Sequence, residues 1–157
     1  MEPAGPRSAT GVAPATRWAL AAGAYAFLWS TVLLWRMGAV TDALGQLLPF
    51  TTGPPAVFLA LPVPAVGAAA WWTVVERRGA YSFRRGAAAG AVTALGTTLC
   101  WLVVYAFVWG PRLVATGSIL IAVVLVVTVP TAALVMLPLL YVRRRWSAEP
   151  ASASTAS

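Results

Sequence analysis

Residues 113–142 read LVATGSILIAVVLVVTVPTAALVMLPLLYV, thirty consecutive positions without a formal charge, followed directly by Arg143, Arg144 and Arg145. One straight helix of that length measures about 45 Å, whereas the hydrocarbon layer of a bilayer is roughly 30 Å thick. Such a helix either projects from the membrane, tilts or bends, and Pro130 and Pro138 mark where it would bend. In water it would need a large protein wrapped around it. The rest of the chain offers none, because three more stretches share its character.

Those stretches are 18–35, bounded by Arg17 and Arg36; 56–75, which stops at Glu76; and 87–109. The 157 residues are 60% hydrophobic and only 10% charged, with a mean hydropathy of +0.80. Soluble domains carry about a quarter charged residues, so the expected solvent here is lipid. The predicted fold class is all-α: a polytopic integral membrane protein with four transmembrane helices, arranged as two antiparallel hairpins. The membrane domain covers 17–145, with spans at about 18–35, 56–75, 87–109 and 116–141. The flanks 1–16 and 146–157 are rich in Pro, Ala and Ser and read as disordered cytoplasmic tails. At the first span, Trp35 and Arg36 stand where small residues would precede a signal-peptide cleavage site, so an uncleaved anchor is expected.

Orientation follows from the arginines. With four spans, one side carries Arg7, Arg17, Arg77, Arg78, Arg84, Arg85, Arg143, Arg144 and Arg145, and the other only Arg36 and Arg112. Positive residues are retained on the cytoplasmic side, which predicts N-in/C-in. The stretch ERRGAYSFRRG at 76–86 is then an inner loop. Its Arg77, Arg78, Arg84 and Arg85, together with Arg143, Arg144 and Arg145, read as topology markers and contacts for anionic headgroups. A nucleic-acid site would need a larger basic surface with exposed aromatics, so no nucleic-acid partner is expected. Arginine without lysine in an Ala-, Gly- and Val-rich chain suggests a GC-rich prokaryote, and hence its cell membrane.

Aromatic residues follow the span ends. Trp18, Trp71, Trp72, Tyr141 and Trp146 belong to the inner interface, Trp35, Tyr105 and Trp109 to the outer one. Trp29 and Trp101 lie deeper and are expected between helices. Small residues supply the packing faces: Gly23 with Ala19, Ala26 and Ser30 on the first span, and Gly86 and Gly90 with Thr93 and Thr97 on the third. These serve the bundle itself or a homo-oligomer. Pro62 and Pro64 in the second span, like Pro130 and Pro138 in the fourth, are candidate helix kinks that free backbone carbonyls. The dipeptide VP recurs thirteen residues before Arg77 and again before Arg143, a faint internal repeat that few other positions support. The outer segment 37–55 is either a short interfacial helix, with Ala43, Leu47 and Leu48 on one face, or an irregular loop.

Catalytic groups are sparse. The chain has no histidine, which excludes His-based acid–base chemistry and most zinc sites. Cys100 has no second cysteine to pair with and sits in an apolar helix, where its thiol is inert. Glu2, Asp42, Glu76 and Glu149 are the only acids, and none falls within a span. Glu76 comes nearest, as an interfacial ion pair beside Arg77. Asp42, Gln46 and Arg36 form too thin a cluster to name a reaction. No catalytic residue, metal or cofactor is therefore expected. The first expectation is a non-catalytic structural or accessory subunit that acts through helix packing, with itself or with a membrane partner. The alternative is a small transporter or channel component built on the proline-broken second and fourth helices.

Overall fold

A computed structural model of the chain describes residues 14–39, 42, 56–79, 81–110, 112 and 118–148. The chain forms α1 (Pro14–Arg36), a short α2 (Ala56–Leu59), α3 (Val63–Trp71), a π-helical turn (Trp72–Glu76), α4 (Phe83–Trp109) and α5 (Ser118–Ala148). Four segments are long and apolar enough to cross a membrane: Pro14–Arg36, Ala56–Glu76, Phe83–Val108 and Ile121–Trp146. The described elements of the fold are all helical, compatible with a multi-pass membrane protein.

The distribution of side chains fits a lipid solvent. Buried positions are mostly small, among them Ala19, Ala22, Ala26, Ala60, Ala70 and Ala89, while Leu28, Leu99, Phe107, Val126 and Leu134 face outward. In lipid an outward leucine costs nothing, and helices associate by close backbone approach. The glycines provide that approach. A Cβ on Gly23 would collide with the Pro64 carbonyl oxygen, and one on Gly67 would lie 3.3 Å from Ala26 Cβ. Gly90 meets the Ala132 carbonyl on α5, and a Cβ on Gly86 would touch Leu140 at 3.0 Å. As α4 proceeds from Gly86 to Gly90, its neighbours on α5 run back from Leu140 to Ala132.

Helix bounds differ from the sequence reading at both flanks. α1 begins at Pro14, because a proline in the first turn forfeits no intrahelical bond, so residues 14–16 are helical. α5 reaches Ala148 and carries Trp146 onto Trp18, edge to face at a centroid distance of 5.9 Å. α4 starts at Phe83, which places Arg84 and Arg85 on its first turn. The segment 43–55, with its candidate interfacial helix, lies outside the described residues, as do 1–13 and 149–157.

The prolines act unequally. In the second span the helix breaks at 60–62: the Val63 N–H donates to the Ala60 carbonyl at 2.9 Å, and Pro62 precedes the new helix. Pro62 and Pro64 lack the N–H groups that a continuous ladder needs. Regular helix continues through Pro130 and Pro138. The two halves thus treat their VP dipeptides differently, against an internal repeat. Two glycines manage the chain reversals with left-handed backbone, Gly79 at φ 57° and Gly110 at φ 82°.

Candidate functional site

The helices bring chemistry together at two places, one at the arginine-rich end and one toward the opposite end. The first is built on the π-turn. There the Arg77 N–H bonds the Trp72 carbonyl at 2.8 Å, an i→i−5 bond. Widening the turn moves the stacked neighbour from i+4 to i+5, so Trp71 and Glu76 share a face that a regular helix would split. Trp71 is fully buried, and its indole Nε1 donates to Glu76 Oε1 at 3.3 Å.

Glu76 is therefore aimed inward, with its side chain 2% exposed. Its partner is Arg143 of α5, not Arg77. The Arg143 Nε donates to Glu76 Oε1 at 2.9 Å and Nη2 to Oε2 at 3.2 Å, a two-point fork. Tyr81, in the linker before α4, donates its hydroxyl to Glu76 Oε2 at 3.2 Å and accepts from Arg143 Nη2 at 2.8 Å. The guanidinium also lies over the rings of Trp18, at 5.3 Å, and Tyr81, at 4.8 Å. Burial first, then the negative charge of Glu76, raise the Tyr81 hydroxyl above the ordinary tyrosine value, with Arg143 opposing. Tyr81 thus stays protonated as a donor. α1, the π-turn after α3, the linker and α5 are joined here through these contacts.

The other cationic residues expected as markers lie around the same end. Arg77, Arg78, Arg84, Arg144 and Arg145 are exposed and Arg85 is half-buried. Arg144 covers the Phe83 ring at 5.4 Å and Arg145 the Tyr141 ring at 5.8 Å. Arg143 differs from its neighbours in sequence by its buried carboxylate partner. Among the described residues no group of three His, Cys, Asp or Glu stands together to hold a metal. Cys100 is exposed on the outer surface of α4.

The second place is a cavity of about 620 Å³, lined by all four spans. α1 contributes Trp29, Ser30 and Arg36; the second span Leu59 and Val63; α4 Thr93, Thr97, Thr98, Trp101 and Tyr105; and α5 Thr128, Thr131 and Met136. The break in the second span forms part of this wall. Leu59 loses its regular donor when Val63 turns to Ala60, and the Trp101 Nε1 supplies a bond to that carbonyl at 2.9 Å. Phe58 packs on Trp101 at 5.3 Å and Trp101 stacks on Tyr105 at 5.8 Å. Trp101, expected between helices, bridges α4 to the second span and forms part of the cavity wall. Trp29 is 47% exposed rather than enclosed between helices, because it flanks this open space.

Hydroxyls dominate the polar part of the wall. Thr93, Thr98, Thr128 and Thr131 each donate to the carbonyl four residues back, at 2.7–2.9 Å. Their protons are spent, and what remains toward the cavity are lone pairs. The Thr97 hydroxyl oxygen is buried without a partner. Arg36, exposed at the end of α1, is the one charged residue among the described residues of the lining. The polar side-chain groups of the described lining are thus hydroxyls, indole N–H groups and one guanidinium.

Compared with protein-family models, curated proteins and solved structures, the chain matches none.

Proposed function

We propose that this chain is a non-catalytic cell-membrane protein of four spans, arranged as two antiparallel hairpins with both termini on the cytoplasmic side. It works as a small permeation component that holds its solute in the cavity between the spans. The observation that carries this reading is a cavity lined by all four spans, with Glu76 and Arg143 joining the second span to α5 at the arginine-rich end. The broken second span supports it, since irregular backbone at membrane depth belongs where it borders a cavity.

Orientation rests on nine arginines against two across the spans. The Glu76–Arg143 cluster then closes the cytoplasmic end, and Arg36 lies at the outer one. A structural or accessory subunit acting by helix packing is the competing reading. It rests on small-residue faces, sparse catalytic groups and short loops, and of these Gly23, Gly86 and Gly90 spend their faces on contacts inside the chain. These three glycines therefore do not by themselves recommend a homo-oligomer.

The test is flux in proteoliposomes. Wild-type protein is expected to conduct little while the inner end is shut, and Arg143→Met to raise flux of a small dye several-fold. Adding Ala94→Phe, at the cavity wall, is expected to abolish the gain. Equal flux from all three proteins and from empty vesicles sinks the reading.

A further inference from the structure

We infer that the cavity binds an anionic amphiphile, with one aliphatic chain between the spans and the negatively charged head on Arg36; this rests on the cavity being the solute site proposed above. Charge decides the head. Of the described residues lining the cavity only Arg36 is charged, and none carries a carboxylate. A cationic ligand would find no counter-ion there, whereas an anion finds a guanidinium for which no carboxylate partner stands among the described residues.

The remaining wall decides the tail. Trp29, Leu59, Val63 and Met136 are apolar. The hydroxyl protons of Thr98, Thr128 and Thr131 are committed to the carbonyls of Ala94, Val124 and Val127. Beyond Arg36 the described lining holds no charged group, and the Thr97 hydroxyl is its one buried polar atom without a partner, so the part of the ligand inside is neutral and mainly hydrocarbon. At about 620 Å³ the space falls in the range of small-molecule sites, roughly 300–1,000 Å³.

Position joins the two halves. Arg36 ends α1, so its guanidinium sits at the edge of the apolar layer while its side chain contributes to the lining. α1 and α5 meet at Trp18 and Trp146 at the arginine-rich end, and both line the cavity toward the other. An amphiphile in the membrane has this same order, charge at the interface and chain beneath it.

The experiment is native mass spectrometry of the full chain in a neutral detergent, with dioleoyl phosphatidylglycerol, dioleoyl phosphatidylcholine or oleate added in turn. One anionic molecule per chain is expected to remain bound, at about fivefold higher occupancy than phosphatidylcholine, the factor one interfacial charge supplies. Arg36→Gln is expected to erase that preference, and Arg112→Gln, at the same end but outside the lining, to keep it. Ala94→Phe is expected to lower retention of every ligand; should it fail to fold, Arg36→Gln on an exposed helix end decides alone. Retention of phosphatidylglycerol but not oleate names a membrane phospholipid, the reverse a free fatty acid, and either supports the inference. Equal retention of neutral and anionic ligands, or a preference that survives Arg36→Gln, overturns it. Flux without anionic preference removes this inference and spares the permeation reading; anionic preference without flux does the opposite.

Discussion

Glu76 and Arg143 stand 67 residues apart in the chain and are joined by a fork of two hydrogen bonds at 2.9 and 3.2 Å. The carboxylate side chain is 2% exposed and the guanidinium side chain 14%. A charge buried to this degree is tolerable only with its partner. Removing one member of a buried pair costs about 3–5 kcal/mol, while replacing both by apolar residues of similar size is often close to neutral. Arg143→Met is therefore expected to lower thermal stability in mild detergent by about 3 kcal/mol, the lower end because Arg143 keeps some contact with solvent. The double variant with Glu76→Leu is expected to recover most of the loss. Additive losses in the double variant would show that the two residues stabilise the bundle independently.

The same cluster sets the titration of Tyr81. Burial and Glu76 raise its hydroxyl above the ordinary tyrosine value of about 10, and Arg143 lowers it. A raised folded value means that the contribution to stability is full below the unfolded tyrosine value of about 10 and is lost as pH rises through the folded one. The sensitive window is thus strongly alkaline, and neutral pH leaves the cluster intact. Ultraviolet titration of wild type minus Tyr81→Phe is expected to give a midpoint above 10.0, and Glu76→Gln to move it down. An unchanged midpoint in Glu76→Gln would mean that the hydroxyl does not sense the carboxylate.

The four apolar segments were legible because membrane helices announce themselves one residue at a time: a charge-free run needs no knowledge of its neighbours. Small residues recur at helical spacing, Gly23 with Ala19, Ala26 and Ser30 and Gly86 with Gly90, and these glycines lie against Pro64, Leu140 and Ala132. The Glu76 site was not legible. In sequence Glu76 adjoins Arg77, and only the π-turn rotates it inward toward Trp71 and Arg143. Arg143 likewise reads as one of three equal arginines until its partner is placed. Prolines were legible as breaks but not ranked. Pro62 and Pro64, two residues apart, interrupt the second span, whereas Pro130 and Pro138, separated by two turns, leave a regular helix on either side. The cavity left no local signal, because its lining comes from all four spans.

Gly90 tests the close approach of α4 and α5. A Cβ there would collide with the Ala132 carbonyl oxygen and stand 2.8 Å from Ala133 Cα, backbone that cannot rotate away. Gly90→Ala is expected to destabilise the protein by about 1–3 kcal/mol, the usual cost of overpacking a tight contact. Gly38→Ala, where a Cβ meets nothing within 4 Å, is the control, expected to be neutral or slightly stabilising. Thermal unfolding of both in one detergent reads the difference, and equal stabilities would contradict the register placed here.

The Thr97 and Thr31 hydroxyl oxygens are buried without hydrogen-bond partners, while Thr98, one residue from Thr97, donates to the Ala94 carbonyl at 2.9 Å. An unsatisfied buried polar group costs about 1–3 kcal/mol, although average gains from side-chain hydrogen bonds in membrane proteins are nearer 0.6 kcal/mol. Valine has the shape of threonine without the hydroxyl and a similar helix propensity. Thr97→Val and Thr31→Val are therefore expected to leave stability unchanged or to raise it by up to about 1 kcal/mol in delipidated protein. Thr98→Val is expected to be neutral or mildly destabilising, since it discards a bond that is made. The comparison also bears on the cavity, which Thr97 lines and Thr31 does not. If added anionic amphiphile stabilises wild type and Thr31→Val equally but Thr97→Val less, the Thr97 hydroxyl bonds the ligand. Equal stabilisation of all three leaves Arg36 as the polar contact that holds it.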